Sequence, residues 1–187
     1  MAFDQGGPQF GLSDCKIATW SSAGTYGTVT DVMSVQLVGV TLRYTEAVLV
    51  GDDSETATAA RAIGGTCTLR FGSISTTALA IILGRATSTI SSVVQQSVKG
   101  GNRMPYFGLV GKALAEEAGG DFWIYVPKMK ISGDLNIAML EYGAFSIPEV
   151  SARMVDDSSY GILNLITHPT DVAITVMPPA NIAVVSS

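Results

Sequence analysis

From Val32 onward the chain alternates apolar and polar residues with a period of two. Met33, Val35 and Leu37 are separated by Ser34 and Gln36, and beyond Gly39 the pattern resumes with Val40, Leu42 and Tyr44 against Thr41, Arg43 and Thr45. Side chains that change face at every residue mark a half-buried strand, so a long strand with a bulge at Gly39 is predicted. Cys67, Leu69 and Phe71 alternate in the same way with Thr66, Thr68 and Arg70. The two runs read as the arms of a hairpin. Between them stands Gly51-Asp52-Asp53-Ser54-Glu55-Thr56, an acidic, hydroxyl-rich tip within a connecting loop read as a compact segment over residues 51–62.

Only one stretch has the marks of a helix. Ser75 is a ready N-cap, Thr76 and Thr77 open the first turn, residues 78–83 are good helix formers, and Gly84 stands at the C-terminal stop. The remainder returns to strands, expected over residues 90–98, 106–113, 122–126, 135–140, 143–155 and 172–176. Pro127 marks an edge or a bulge, because proline donates no ladder hydrogen bond. Acidic clusters recur at residues 116–121 and 156–159, and like the tip they fall in predicted turns. The expected fold is mainly β, a β-sandwich or barrel of two antiparallel sheets with one short flanking α-helix at about residues 75–83, in a single domain over residues 1–187.

Composition adds a constraint on the surface. Hydrophobic residues make up 47% of the chain and charged residues only 14%, against about 25% charged in an ordinary soluble domain. A neutral surface rich in Thr, Ser, Gly and Ala, with exposed strand edges, favours association over a free monomer. The net charge of −5 argues against nucleic-acid binding through phosphate neutralisation. No basic start followed by an apolar run opens the chain, and the longest purely apolar run, residues 78–83, is too short to span a bilayer, so synthesis in the cytoplasm is expected. Cys15 and Cys67, far apart and outside any CxxC motif, are expected as reduced, buried thiols.

Candidate chemistry is sparse. An EF-hand loop counted from Asp52 would need Glu at its twelfth position, which is Ile63, and its acids at alternate rather than adjacent positions. Gly108-Leu109-Val110-Gly111-Lys112-Ala113 has the wrong spacing for a phosphate loop and an Ala where the metal-binding hydroxyl belongs. There is no GxSxG elbow, and the single histidine, His168, stands before Pro169 in a turn context. At 7% aromatics the chain is poor in residues for a sugar-binding cleft, and Trp20 and Trp123 read as core anchors. No catalytic residue, cofactor or metal is therefore expected. Asp52, Asp53, Ser54, Glu55 and Thr56 keep two readings, a solvated turn or a contact with a partner.

The order of these features resembles the major tail tube protein of long-tailed, siphovirus-type bacteriophages. The resemblance rests on the strand pair around residues 42–50 and 65–71, the acidic tip between them, the helix at residues 75–84 directly after, and the late aliphatic segment ending in Tyr142-Gly143-Ala144-Phe145-Ser146-Ile147-Pro148. It covers roughly residues 32–176 and involves no invariant motif.

That resemblance implies a β-sandwich with a flanking helix, shared with the type VI secretion tube protein. It further implies homohexameric rings whose inner sheets join into one barrel, stacked into a virion tail tube through which DNA passes without sequence-specific binding. The hairpin loop would then reach a neighbouring subunit or ring, where Asp52, Asp53 and Glu55 would meet Lys or Arg, with Arg61, Arg70, Lys128 and Lys130 as candidates. Stacking could instead rely on residues 1–14 or on the turn at 99–103. The rivals are another virion or secretion-tube component (a terminator, a connector or a contractile inner tube) and, from a different class, a small ligand-binding β-barrel.

Overall fold

The computed structural model describes residues 9–51, 54–73, 75–115, 120–133, 135, 147–168 and 173–179. Among the described residues, eleven strands and one helix run in the order β1 (Gln9–Ser22), β2 (Thr25–Tyr26), β3 (Thr30–Asp31), β4 (Val35–Gly51), β5 (Ser54–Phe71), α1 (Thr76–Leu83), β6 (Ser88–Ile90), β7 (Val93–Gln95), β8 (Phe107–Ala115), β9 (Asp121–Ile131), β10 (Glu149–Met154) and β11 (Asn164–His168). The fold is mainly β, as the alternation predicts. Nine strands form one antiparallel sheet in the order β2-β1-β8-β9-β10-β5-β4, with β11 added to β9 and β3 to β1, while β6 and β7 form a separate hairpin.

The large sheet folds over on itself in a sandwich-like way. Cys15 and Ile17 from β1 share one buried cluster with Cys67, Leu69 and Phe71 from β5, although those strands stand far apart in the ladder. A Cβ on Gly111 of β8 would lie 3.6 Å from the Val38 side chain of β4. Alternation decides which residues fill this core. On β5 and β10, Cys67, Leu69, Val150, Ala152 and Met154 point inward, while Thr66, Thr68, Arg70, Ser151 and Arg153 face out. A second cluster of Ala18, Val110, Trp123 and Tyr125 lies on the opposite face of β1, β8 and β9, covered by Ile174 and Met177. Trp123 anchors a core as expected.

Helix α1 forms as predicted. The Ala78 amide donates to Ser75 Oγ at 3.1 Å, and Gly84 closes the helix at φ 65° and ψ 35°, a left-handed conformation that glycine adopts without strain. Ala78, Ile82 and Leu83 are buried, and the helix packs against β1 and β3.

Several expectations are corrected. No bulge occurs at Gly39, which pairs regularly with Thr68; the register shifts lie at Val35/Leu37, Arg43/Tyr44 and Leu49/Val50. The loop over residues 51–62 is not compact, since β5 starts at Ser54 and continues the hairpin. Residues 90–98 form no single strand: Ser91 and Ser92, both at positive φ, turn β6 back onto β7. The described part of the segment expected as a strand at 172–176 has no strand, and of the stretch 143–155 the described residues 147–155 form one only over 149–154. β1 and β11 were not foreseen by the pattern. The expected strand at 135–140 and the acidic turn residues 116–119 lie outside the described residues, apart from Leu135.

Pro127 does mark an irregularity. Along one edge of β9, residues 121–125 pair with β11 and residues 129–131 with β10, and Pro127 falls in the gap where no ladder bond is required of it. Its carbonyl accepts from Tyr26 Oη at 2.8 Å, and Tyr26 Oη in turn accepts from Tyr125 Oη at 2.7 Å.

Gly65 has no room for a side chain, because a Cβ there would strike the Thr41 carbonyl and Met154 Cε, whereas Gly100 faces open space. Gly65→Ala is expected to destabilise by about 1–3 kcal/mol and Gly100→Ala by well under about 1 kcal/mol, read from denaturant midpoints. Cys15 and Cys67 are free and buried. Burial pushes the Cys67 thiol from its ordinary 9.0 up to about 12, and raises Cys15 further with help from nearby Cys67 and Asp14. A thiol raised in the folded state favours folding fully below its unfolded value, and that contribution is lost as pH climbs toward the folded one. The denaturation midpoint should therefore fall between pH 9 and about 12. Both thiols should resist a thiol reagent at pH 8 until the protein is unfolded.

Candidate functional site

The described feature least accounted for by the body of the protein is the outer half of the β4–β5 hairpin. Between Gly65 and Arg70, β5 has β10 on one side and β4 on the other; beyond Gly64 only β4 remains. Residues 44–51 and 54–63 thus form a two-stranded ribbon roughly 25 Å long. Its departure is marked by a bulge, since Arg43 pairs with Gly64 and Tyr44 with Ala62, leaving Ile63 without a partner in the ladder. Gly64, at φ 143°, adopts there a conformation that other residues rarely take.

The ribbon's described side chains are exposed on both faces. Tyr44, Val48 and Ile63 are 58%, 49% and 48% exposed, and Ala47, Ala59, Ala60 and Ala62 add more neutral surface. An isolated two-stranded hairpin is marginal in water, and one that leaves large apolar side chains uncovered gains little from its own contacts.

Of the predicted site residues, Asp52 and Asp53 lie outside the described residues. The backbones of Ser54 and Glu55 open β5 opposite Gly51 and Val50, and Thr56 is the extra residue at the register shift between the Leu49 and Val50 pairs. The backbone thus carries these three residues at the far end of the ribbon. The other acidic stretches divide differently. Asp121 is not a turn residue but a buried strand residue whose Oδ2 faces Lys112 Nζ at 3.6 Å. Asp157 is buried in its turn, accepting from Trp20 Nε1 at 2.8 Å through Oδ2, and through Oδ1 from the Ser159 and Tyr160 amides at 2.9 and 3.2 Å. Trp20 is accordingly partly exposed and tied to a turn rather than sunk in the core.

The alternative stacking elements also change. Residues 9–14 belong to β1, whose register with β8 includes Gln9↔Ala115, Phe10↔Leu114 and Asp14↔Lys112. That part of the N-terminal segment is not a free arm. Residues 99–102 do form a turn, closed by the Asn102 amide donating to the Lys99 carbonyl at 3.3 Å.

A feature the sequence reading missed is a cation-aromatic patch on the outer face. Lys128 Nζ lies 4.2 Å from the Trp20 ring centre and 4.9 Å from that of Tyr106, and Lys130 Nζ lies 5.3 Å from Tyr106. Trp20 and Tyr106 meet edge to face, with centroids 5.6 Å apart. The alternation Lys128-Met129-Lys130 signals that both lysines share a face; their approach to Trp20 is tertiary.

The groups whose ionisation is most displaced belong to the body. Tyr26 and Tyr125, like the two cysteines, are raised by burial. Thiols held neutral in this way pack as small apolar groups. Among the described residues, no group of three or more His, Cys, Asp or Glu could hold a metal ion, and no helix is long and apolar enough to cross a membrane. No known family model and no curated protein matches the chain.

Asp157→Ala would leave the Trp20 indole N–H and two turn amides without their acceptor. It should destabilise the protein by about 1–3 kcal/mol and change Trp20 fluorescence. Unchanged stability and emission would show that water replaces the carboxylate.

Proposed function

We propose that this chain is a structural subunit that assembles with copies of itself, and specifically a phage tail tube protein whose hexameric rings stack into a conduit for DNA. The observation that carries this reading is the projecting two-stranded ribbon, whose described side chains are exposed on both faces, on a protein with 14% charged residues. Two further features support it. Among the described residues strand β4 is paired only with β5, which leaves its 17-residue outer edge for strand addition by a neighbour. The order of long hairpin, acidic tip and short helix is that of the family the sequence resembles.

In this reading the work is assembly rather than catalysis. Low surface charge lets large areas meet without desolvating ions. A net charge of −5, where it is presented to the lumen, repels phosphates and keeps DNA from adhering. The protein would be made in the host cytoplasm and act in the virion.

The test is electron microscopy of the purified protein with and without the ribbon. Wild type should form six-fold rings or tubes, alone or when seeded with tail tips. A variant with residues 44–63 replaced by Asn-Gly should stay folded and monomeric, because Arg43 and Gly64 already face each other. The full-length variant Tyr44→Ser/Val48→Ser/Ile63→Ser should keep its thermal midpoint within a few degrees and assemble poorly. Normal tubes from both variants would eliminate the ribbon's role, and a wild type that remains monomeric even when seeded would eliminate the assembly reading.

A further inference from the structure

Lys128 and Lys130 flank one tyrosine ring, with Nζ atoms 4.9 and 5.3 Å from the centre of Tyr106, and Lys128 also lies over Trp20 at 4.2 Å. Two positions apart on β9, they stand on one face of the strand. Arg153 of β10 is the direct cross-strand partner of Lys130, so it shares that face, and it is exposed. Thr66 of β5 pairs with Arg153, and Thr41 of β4 with Thr66; both are exposed and extend the row of polar groups across the sheet.

Like charges directly opposed across an antiparallel pair repel each other. Among the described residues, no ion pair and no side-chain hydrogen bond engages Lys128, Lys130 or Arg153. The carboxylates closest along the chain are committed elsewhere. Glu149 Oε2 accepts from Arg70 Nη2 and Nε at 2.9 and 3.2 Å, and Asp157 accepts from Trp20 Nε1 and two turn amides. The aromatic contacts leave the ammonium N–H donors unused while restricting where each Nζ can go. A cluster restrained in this way loses less freedom when it binds.

We propose that this outer face of β9 and β10 is a binding site for a small phosphate-class oxyanion, of which inorganic pyrophosphate is the best-matched form. One phosphoryl group sits between the two ammonium groups above Tyr106. The other reaches Arg153, whose planar guanidinium donates two parallel hydrogen bonds to such an oxygen pair. The charge of the chain favours a small ligand over a polymer. A net −5 repels a long polyanion over its whole length, whereas screening within about 8 Å at physiological salt leaves a small anion under the influence of the cluster alone. The site is complete in one chain and needs no second copy.

The test is calorimetric titration of the purified protein with inorganic pyrophosphate. Wild type should bind one pyrophosphate per chain, raise its thermal midpoint as the ligand is added, and change its Trp20 emission as Lys128 moves. Lys130→Gln/Arg153→Gln and Lys128→Gln should each weaken binding by about tenfold or more. Lys99→Gln/Arg103→Gln, which removes two exposed cations from another turn, should leave it unchanged. Circular dichroism checks that each variant is folded. Arg153→Gln alone relieves one of the two opposed charges, so without ligand its thermal midpoint should match or exceed that of wild type. A fall in that midpoint would mark the arginine as a structural residue and overturn its role.

Wild type that binds no pyrophosphate in the millimolar range, or a Lys99/Arg103 variant that loses binding as much as the patch variants do, would overturn the site. Labelled duplex DNA that binds wild type and not the patch variants, and is not displaced by pyrophosphate, would assign the patch to a polymer and overturn the small-ligand site as well. None of these outcomes bears on whether the chain assembles, which electron microscopy reads separately.

Discussion

Strand β5 has two neighbours over its C-terminal part and one over the rest, and the change occurs at Gly64–Gly65. Gly65 is pressed between the Thr41 carbonyl and the Met154 side chain, so the chain passes there only because it has no Cβ. On one side of this junction the hairpin belongs to a core closed by β1, β10 and α1. On the other it leaves that core as a ribbon. One chain segment therefore serves as both an interior wall and an external arm.

The arm explains why a composition poor in charge does not conflict with a well-packed body. The core between the folded halves of the sheet is filled by Cys15, Ile17, Leu69, Phe71, Leu109 and Met129, all buried. Neutral surface remains on the ribbon, at Tyr44, Val48 and Ile63, and also on the β6–β7 hairpin, at Ile90, Val93 and Val94. In the proposed tube, ring closure would cover the outer edge of β4 and stacking would engage the ribbon and its acidic end. A charged tip on a neutral arm suits such a role: apolar area supplies affinity without direction, and charge sets register.

The hairpin, the capped helix and the buried thiols were legible because each is a local signal. Alternation names the faces of β4 and β5, and Ser75 with Gly84 brackets α1. The extent of the ribbon was not legible. Residues 57–62, Ala-Thr-Ala-Ala-Arg-Ala, have small, weakly patterned side chains that read as loop, yet they pair residue by residue with β4. Strand β1 was hidden for a similar reason, since Gly, Ser, Asp and Lys interrupt its alternation while β8 supplies the ladder. Asp121 and Asp157 looked like solvated turn acids. Only Lys112 in one case, and Trp20 in the other, each more than a turn away, reveal why they are buried.

By itself the sequence determined the class of fold, the position of the single helix and the placement of an acidic stretch within an early hairpin, because period, capping and turn chemistry act over a few residues. Tertiary structure decided where the hairpin leaves the body and which side chains gather on one face. Lys128, Lys130 and Arg153 lie on two strands, and Trp20 and Tyr106 elsewhere in the chain. They become one surface only when β9 pairs with β10 and the sheet folds to bring Trp20 beneath Lys128, an arrangement set by long-range pairing that no local pattern encodes.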